Sequence, residues 1–202
     1  GYDGDGKWTS CGCPDLRVVH MSVYNGDLLG LSYEDGGFFR YEGGTAWTHL
    51  GPVPKTTQTY GTAAYEGQLL GGTWPTGSVY RYEGPQKWTH LGRLGEEKEV
   101  MGMAVYNGKL YGGAIPRAEV MRFDDADVWT SLRRFYLPPG WTPAPPANAT
   151  TAQVNEWSRV TSLPVHEGRL FASIGSSTSS VPDAQIGRAH VGTPATVEAR
   201  MP

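Results

Sequence analysis

A tryptophan recurs along the chain at a nearly constant interval, and this periodicity constrains the fold more than any other feature. The four positions, spaced 39, 41 and 41 residues apart, are Trp8, Trp47, Trp88 and Trp129. An aromatic residue precedes each of them by six positions: Tyr2, Tyr41, Tyr82 and Phe123. A constant period of about 41 residues means that the chain repeats one supersecondary unit, which buries its apolar face against its neighbours.

A second marker shares this period. It is an aromatic residue or histidine followed by a turn dipeptide, at 24–26, 65–67, 106–108 and 166–168. In the clearest unit Asn107-Gly108 fits a two-residue hairpin, because Asn and Gly tolerate the positive φ of a type I′ turn. The strands predicted for that unit are 100–106, 109–114, 118–124 and 127–132. Apolar residues do not recur at the 3.6-residue spacing of an amphipathic helix, apart from a weak Ala-rich candidate at 149–157. The repeated unit is therefore predicted to be all-β.

Repeated four-stranded antiparallel units of about 41 residues are typical of β-propeller blades. The sequence therefore predicts an incomplete β-propeller within residues 1–185, with about three full blades and two partial ones. The full blades are expected at about 17–51, 59–92 and 100–132, and a partial blade at 160–174. Residues 1–10 supply the end of an earlier blade, and a Pro-rich loop is inserted at 133–159.

The repeated motifs also match a known pattern. They include Gly71-Gly72, Val79-Tyr80-Arg81-Tyr82, Trp88 and the run 104–113. These motifs resemble kelch-type repeats, over 1–132 well and over 159–174 weakly. The resemblance implies a β-propeller but no particular chemistry, because blade motifs describe the scaffold. The stretch 41–47 is similar to a degenerate Asp-box of sialidase-like propellers, a second-ranked resemblance because the serine and aspartate of that box are missing.

The last residues, 186–202, differ from the rest of the chain. Back-translation of the run 186–191 resembles read-through of a short-read sequencing adapter, and the likeness continues to Pro202. The sequence therefore predicts a non-native tail that contributes neither to the fold nor to the function. The chain starts inside the repeat pattern without an initiator Met, so no compartment is predicted: extracellular and cytoplasmic locations both stay open.

Composition argues against two classes of partner. The net charge is −3, with 17 Lys and Arg against 20 Asp and Glu, which provides no basic patch for nucleic-acid phosphates. No apolar run approaches the roughly 20 residues of a membrane-spanning helix. The two cysteines, Cys11 and Cys13, lack the further ligands of a zinc site, so the sequence predicts neither a metal nor a cofactor.

Residues that occur in every unit are predicted to be structural, since one ligand cannot need them in each blade. The repeat tryptophans should pack between blades, and Gly72 and Gly113 should permit positive φ or a close backbone approach. Arg40, Arg81 and Arg122 each stand two residues before an acidic residue, a period that predicts ion pairs from blade to blade. An arginine cluster for a substrate carboxylate is the alternative.

Residues outside the repeat markers are better candidates for binding. The loops between second and third strands, and the connections between blades, should emerge on one variable face, where function usually concentrates. The candidate ligand-binding residues on this face are Trp74, Trp141, Arg117, Glu34, Asp35 and Tyr60. The two tryptophans could stack on a sugar ring or an aromatic ligand.

Three classes of function fit this arrangement. The first is a non-catalytic scaffold that recognises a protein or a glycan through the variable face, with the remaining blades of the same chain as further partners. The second is a carbohydrate-active enzyme of kelch- or sialidase-like type. Its contributors would be Glu34, Asp35, Arg117, Tyr60 and His20. The third is a structural spacer, and convergence of the candidate side chains on one pocket would discriminate among the three.

Overall fold

The structure is a computed structural model, and it describes residues 1–125, 127–135 and 156–178. These residues form 18 β-strands, which confirms the predicted all-β fold. In this described part of the chain there is no helix, and hence none that could cross a membrane. Most of the insertion predicted at 133–159, and the whole tail predicted at 186–202, lie outside the described residues.

Three four-stranded antiparallel sheets form the body of the structure, and each strand pairs with the next along the chain. Blade 1 consists of β3 (Val18–Tyr24), β4 (Asp27–Ser32), β5 (Gly37–Gly43) and β6 (Ala46–Pro52). Blade 2 consists of β7 (Gln58–Tyr65), β8 (Gln68–Trp74), β9 (Ser78–Gly84) and β10 (Lys87–Arg93). Blade 3 consists of β11 (Glu99–Tyr106), β12 (Lys109–Ile115), β13 (Glu119–Asp125) and β14 (Val128–Arg134).

Shorter sheets flank the three blades. Before blade 1, β1 (Tyr2–Gly4) pairs with β2 (Lys7–Trp8). After blade 3, β15 (Glu156–Ser162) pairs with β18 (Ser173–Thr178). Between these two strands lies a small hairpin of β16 (Val165–His166) and β17 (Arg169–Leu170). The first strands of successive sheets contact one another, β3 with β7, β7 with β11 and β11 with β15, so they line the inner side of the array.

The blades pack face to face, and glycines make the close approach possible. Leu31 of blade 1 and Leu69 of blade 2 share one buried apolar cluster. A Cβ on Gly72 would overlap the carbonyl oxygen of Val100 in the next blade, and one on Gly113 would overlap the following sheet. Neither glycine has a positive φ, so the close approach alone requires glycine here.

Three of the repeat tryptophans contact the preceding repeat through their indole rings. Trp88 packs against Phe38 of blade 1, with ring centroids 5.0 Å apart, and its buried N–H has no hydrogen-bond partner among the described residues. The N–H of Trp47 donates to the Cys11 carbonyl oxygen at 2.7 Å, and the N–H of Trp129 donates to that of Leu91 at 2.7 Å. Trp8, in the first hairpin, is 79% exposed. Each tryptophan also packs on the aromatic residue six positions earlier, with ring centroids 5.0–5.2 Å apart: Tyr2, Tyr41, Tyr82 and Phe123. The marker thus records one local packing unit that the chain repeats.

The repeated arginines form ion pairs within a strand. The three pairs and their N–O distances are Arg40–Glu42 at 2.9 Å, Arg81–Glu83 at 2.6 Å and Arg122–Asp124 at 2.6 Å. Residues two apart on a strand project from the same face, so each arginine reaches the acidic residue of its own strand first. The prediction of blade-to-blade ion pairs is therefore wrong. Because these pairs are partly exposed, each contributes little to stability.

Candidate functional site

One position, in or just before the first strand of a sheet, carries a polar side chain in four successive repeats. It lies seven residues before each hairpin marker and is occupied by Arg17, Gln58, Glu99 and Arg159. The next residue along the chain, by contrast, is an apolar core residue in blade 3 and after it, Val100 and Val160. A packing role would favour one residue type throughout, so the change among arginine, glutamine and glutamate marks a position that the scaffold does not dictate.

Aromatic rings lie beside this position. The strand register places Gln58 opposite Trp74, and the guanidinium of Arg17 lies 3.4 Å from the ring centroid of Tyr33. The Tyr33 ring meets the Tyr60 ring edge to face, with centroids 6.1 Å apart. The Tyr60 hydroxyl donates to Oε1 of Gln58. Tyr33, Tyr60 and Trp74 are all half-buried.

Glu99 is the most deeply buried of these polar residues. It is 5% exposed, and among the described residues its Oε1 has no hydrogen-bond partner. Burial raises the pKa of Glu99 to about 7, against the opposing effects of the Arg159 charge and the Tyr60 hydroxyl. Burial also raises the pKa of Tyr60, which keeps its hydroxyl protonated. Near neutral pH, Glu99 therefore exchanges between a carboxylate that accepts and an acid that donates.

We call this group of side chains the mouth cluster. Its members are Arg17, Tyr33, Gln58, Tyr60, Trp74, Glu99 and Arg159. Sequence reasoning placed only Tyr60 and Trp74 in the site. Aligning the repeats on the hairpin marker would have found the four polar members, because that alignment brings them to one position.

Other candidates from the sequence are held in contacts of their own. The carboxylate of Glu34 accepts from the Arg17 guanidinium at 2.7 Å, and that of Asp35 lies 3.3 Å from Nε2 of His49. Both acidic side chains are exposed on the first variable loop. Trp141 lies outside the described residues.

Arg117 stands in the loop between β12 and β13, but its side chain is buried. It is 3% exposed, and its Nε donates to Oε1 of Glu97 at 2.5 Å. Its backbone N–H donates to Oε2 of the same carboxylate at 3.1 Å, and Glu96 lies 3.3 Å from its Nη1. This arrangement ties the loop after β12 to the connection that precedes β11, which favours a structural role for Arg117 over ligand binding.

In residues 1–125, 127–135 and 156–178, no group of three or more His, Cys, Asp or Glu side chains is arranged to hold a metal ion. Cys11 and Cys13 are free thiols.

Comparison with known proteins reveals similarity in structure but not in sequence. No family model and no curated protein matches the chain. A catalytically inactive virginiamycin B lyase from Staphylococcus aureus, solved with quinupristin, superposes with a TM-score of 0.51 at 14% identity, covering 85% of this chain and 59% of that one. The selenomethionine form of the lyase gives 0.48 at 12% identity, with coverages of 80% and 55%.

The chain thus spans less than two thirds of the length of either lyase structure. At this level of identity the first likeness establishes the fold alone. Together with the three four-stranded antiparallel sheets, it shows that the described chain is an incomplete β-propeller.

Proposed function

We propose that this β-propeller is a binding domain that recognises a glycan at the mouth cluster. The observation that carries the proposal is the set of three half-buried rings, Tyr33, Tyr60 and Trp74, around the polar groups of Gln58 and Glu99. Aromatic faces offer flat apolar surface to the C–H face of a sugar ring. Amide and carboxylate oxygens accept from its hydroxyl groups, and the amide also donates.

The surroundings of Glu99 favour binding over hydrolysis. Most glycosidases use two carboxyl groups that lie roughly 5–10 Å apart. Within the described residues, the groups that shift the pKa of Glu99 are Arg159 and the Tyr60 hydroxyl, and no second carboxylate is among them. One carboxyl group near its pKa at neutrality can accept or donate a hydrogen bond to a ligand without a chemical step.

The same proposal includes the organisation of the chain. The double glycines and the Tyr and Trp markers support kelch-type repeats, with blades at about 17–51, 59–92 and 100–132 and a partial blade at 160–174. The back-translated sequence supports a non-native origin for 186–202. The remaining blades of the propeller would be the partners of its terminal sheets.

A glycan array probed with the chain tests the proposal. We expect binding to a defined subset of glycans, and Trp74→Ala and Tyr60→Ala should each weaken it about tenfold, because a stacked ring contributes about 0.5–1.5 kcal/mol. The matched control is Trp8→Ala, which removes an exposed indole from the first hairpin and should leave binding unchanged.

Thermal unfolding of each variant separates loss of binding from loss of folding. Equal losses in folded Trp74→Ala and Trp8→Ala would contradict a site at the mouth cluster. Absence of any glycan ligand, with capture of a protein partner instead, would contradict the glycan. Release of a cleaved product from bound glycans would favour the carbohydrate-active enzyme.

A further inference from the structure

A cavity of about 500 Å³ opens beside blade 2, and it shares no residue with the mouth cluster. Aromatic rings of Tyr80 and Trp88 line it. Its polar lining includes Lys55, Ser78, His90 and Arg93. All of these polar groups can donate hydrogen bonds, two of them carry permanent positive charge, and no carboxylate is among the lining residues. This set of donors, of which Lys55, His90 and Arg93 are exposed, suits a ligand that accepts hydrogen bonds.

The third and fourth strands of blade 2 position these groups. The register places Arg93 opposite Ser78 and His90 opposite Tyr80, and the rings of the second pair have centroids 5.0 Å apart. The Arg93 guanidinium donates to the carbonyl oxygen of Glu97 at 3.0 and 3.3 Å. Since a carbonyl oxygen has no net charge, this contact orients the guanidinium without neutralising it.

In blade 3, a carboxylate of the chain itself occupies the position that corresponds to the cavity of blade 2. Forty-one residues beyond Arg93 and Ser78 stand Arg134 and Glu119, and the register pairs these two as well. Nε of Arg134 donates to Oε2 of Glu119 at 3.0 Å, and the Ser131 hydroxyl donates to Oε1. Glu119 is buried in this pair. In blade 3, the arginine at this position thus has an acidic partner on the neighbouring strand.

Blade 1 also brings a carboxylate to this region. The equivalent of His90 is His49, whose Nε2 lies 3.3 Å from the carboxylate of Asp35. Blade 2 has Thr76 where blade 1 has Asp35, and Ser78 where blade 3 has Glu119. Blade 2 therefore keeps the cationic and donor side of the arrangement but provides hydroxyl groups where its neighbours provide an acid.

We propose that blade 2 takes this carboxylate from a ligand: the cavity binds a small carboxylic acid. The carboxylate would lie between the Arg93 guanidinium and the Ser78 hydroxyl, with the rest of the ligand against Tyr80 and Trp88. The planar guanidinium fork matches carboxylate geometry, and charged hydrogen bonds of this kind are the strong ones. The volume falls within the roughly 300–1,000 Å³ of small-molecule sites, so an acid with one ring would fit.

Titration of the full chain with sodium glucuronate and with sodium phenylacetate tests this inference. Tryptophan fluorescence and ligand NMR line broadening report binding, and the two acids distinguish a sugar acid from an aromatic acid. We expect at least one to bind saturably, and its uncharged analogue, glucose or phenylacetamide, to bind at least tenfold more weakly. Equal binding of an acid and its uncharged analogue, or saturable binding of neither acid, would overturn the proposal.

Three variants locate the site. Arg93→Met should weaken acid binding at least tenfold. Arg133→Met should leave it unchanged, because that exposed guanidinium lies over Phe135 outside the cavity. Ser78→Glu introduces the residue of blade 3 and should abolish ligand binding without lowering the thermal midpoint, since the chain then supplies its own carboxylate. Undiminished binding by folded Arg93→Met or by Ser78→Glu would contradict the assignment.

The same titrations separate this site from the mouth cluster. Trp74→Ala should retain acid binding, because Trp74 does not line the cavity. Failure of the glycan array would therefore leave the acid site standing, and failure of the acid titrations would leave the glycan site standing.

Discussion

Glu97 and Glu99 are two residues apart, both are almost fully buried, and burial raises the pKa of each, but among the described residues only Glu97 has a cationic partner within hydrogen-bond distance. Glu97 is 0% exposed, and both of its carboxylate oxygens accept from Arg117. Glu99 is 5% exposed, and within the described residues its Oε1 accepts from nothing. Burial alone therefore does not mark a functional carboxylate. An unmatched oxygen beside half-buried aromatic residues is the feature that separates the candidate site from the structural pair.

The two carboxylates also differ in what they do for stability. Glu97 and Arg117 join a loop to an interblade connection, and removal of Arg117 would leave the buried Glu97 carboxylate without the cation that pairs with it. Glu99 is desolvated without a full set of partners, which costs stability whenever it is charged. The proposed glycan ligand would supply the missing hydrogen bond to Oε1.

Breaking the buried Glu97–Arg117 ion pair should have the largest effect on stability. Arg117→Met leaves Glu97 buried without its cation, and we expect the free energy of unfolding in urea to fall by about 3–5 kcal/mol. The double variant Arg117→Met/Glu97→Met should recover most of that loss, because an apolar pair of similar volume can replace a buried ion pair. A loss below about 1 kcal/mol in Arg117→Met would contradict the structural role.

The incompletely hydrogen-bonded carboxylate of Glu99 should make the stability of the chain depend on pH. The pKa of Glu99 is about 7 in the folded chain against 4.5 ordinarily, so the folded state holds the proton more tightly. Its contribution to stability is complete below pH 4.5 and is lost as the pH rises through 7, a difference of about 3 kcal/mol. Urea midpoints between about pH 5 and pH 8 should therefore fall, and Glu99→Gln should flatten that fall.

The control for this series is Glu96→Gln, which removes an exposed carboxylate three residues away. It should leave the slope of stability against pH unchanged. Parallel profiles for the wild-type chain and Glu99→Gln would show that Glu99 has an ordinary pKa and that the contrast with Glu97 is wrong.

The fold was predictable because the same sequence markers recur in every repeat. Each repeat tryptophan packs on the aromatic residue six positions earlier, so one local packing rule leaves a periodic trace in the sequence. The choice of the acidic residue with which an arginine pairs leaves no such periodic trace. Arg40 reaches Glu42 on its own strand because of strand geometry, which the period alone does not reveal.

The candidate site was predictable only in part. Tyr60 and Trp74 stand out as aromatic residues on variable positions, and they do belong to the mouth cluster. Nothing in residue type separates Glu97 from Glu99. Their difference depends on Arg117, a loop residue that turns inward to one of them, and that choice is made by tertiary packing. Internal alignment of the repeats is the one sequence signal that singles out Glu99.

A substitution with a smaller expected effect tests how the mouth cluster itself sets the pKa of Glu99. The Tyr60 hydroxyl favours the charged form of Glu99, so Tyr60→Phe should raise the pKa of Glu99 further while the ring stays against Tyr33. Carboxyl ¹³C NMR titration measures that shift, and Tyr82→Phe, outside the cluster, should leave it unchanged. An unchanged or lowered Glu99 pKa in Tyr60→Phe would mean that the hydroxyl serves only Gln58. Glu99 would then be a buried acid on its own, and the case for one shared ligand site would lose its electrostatic link.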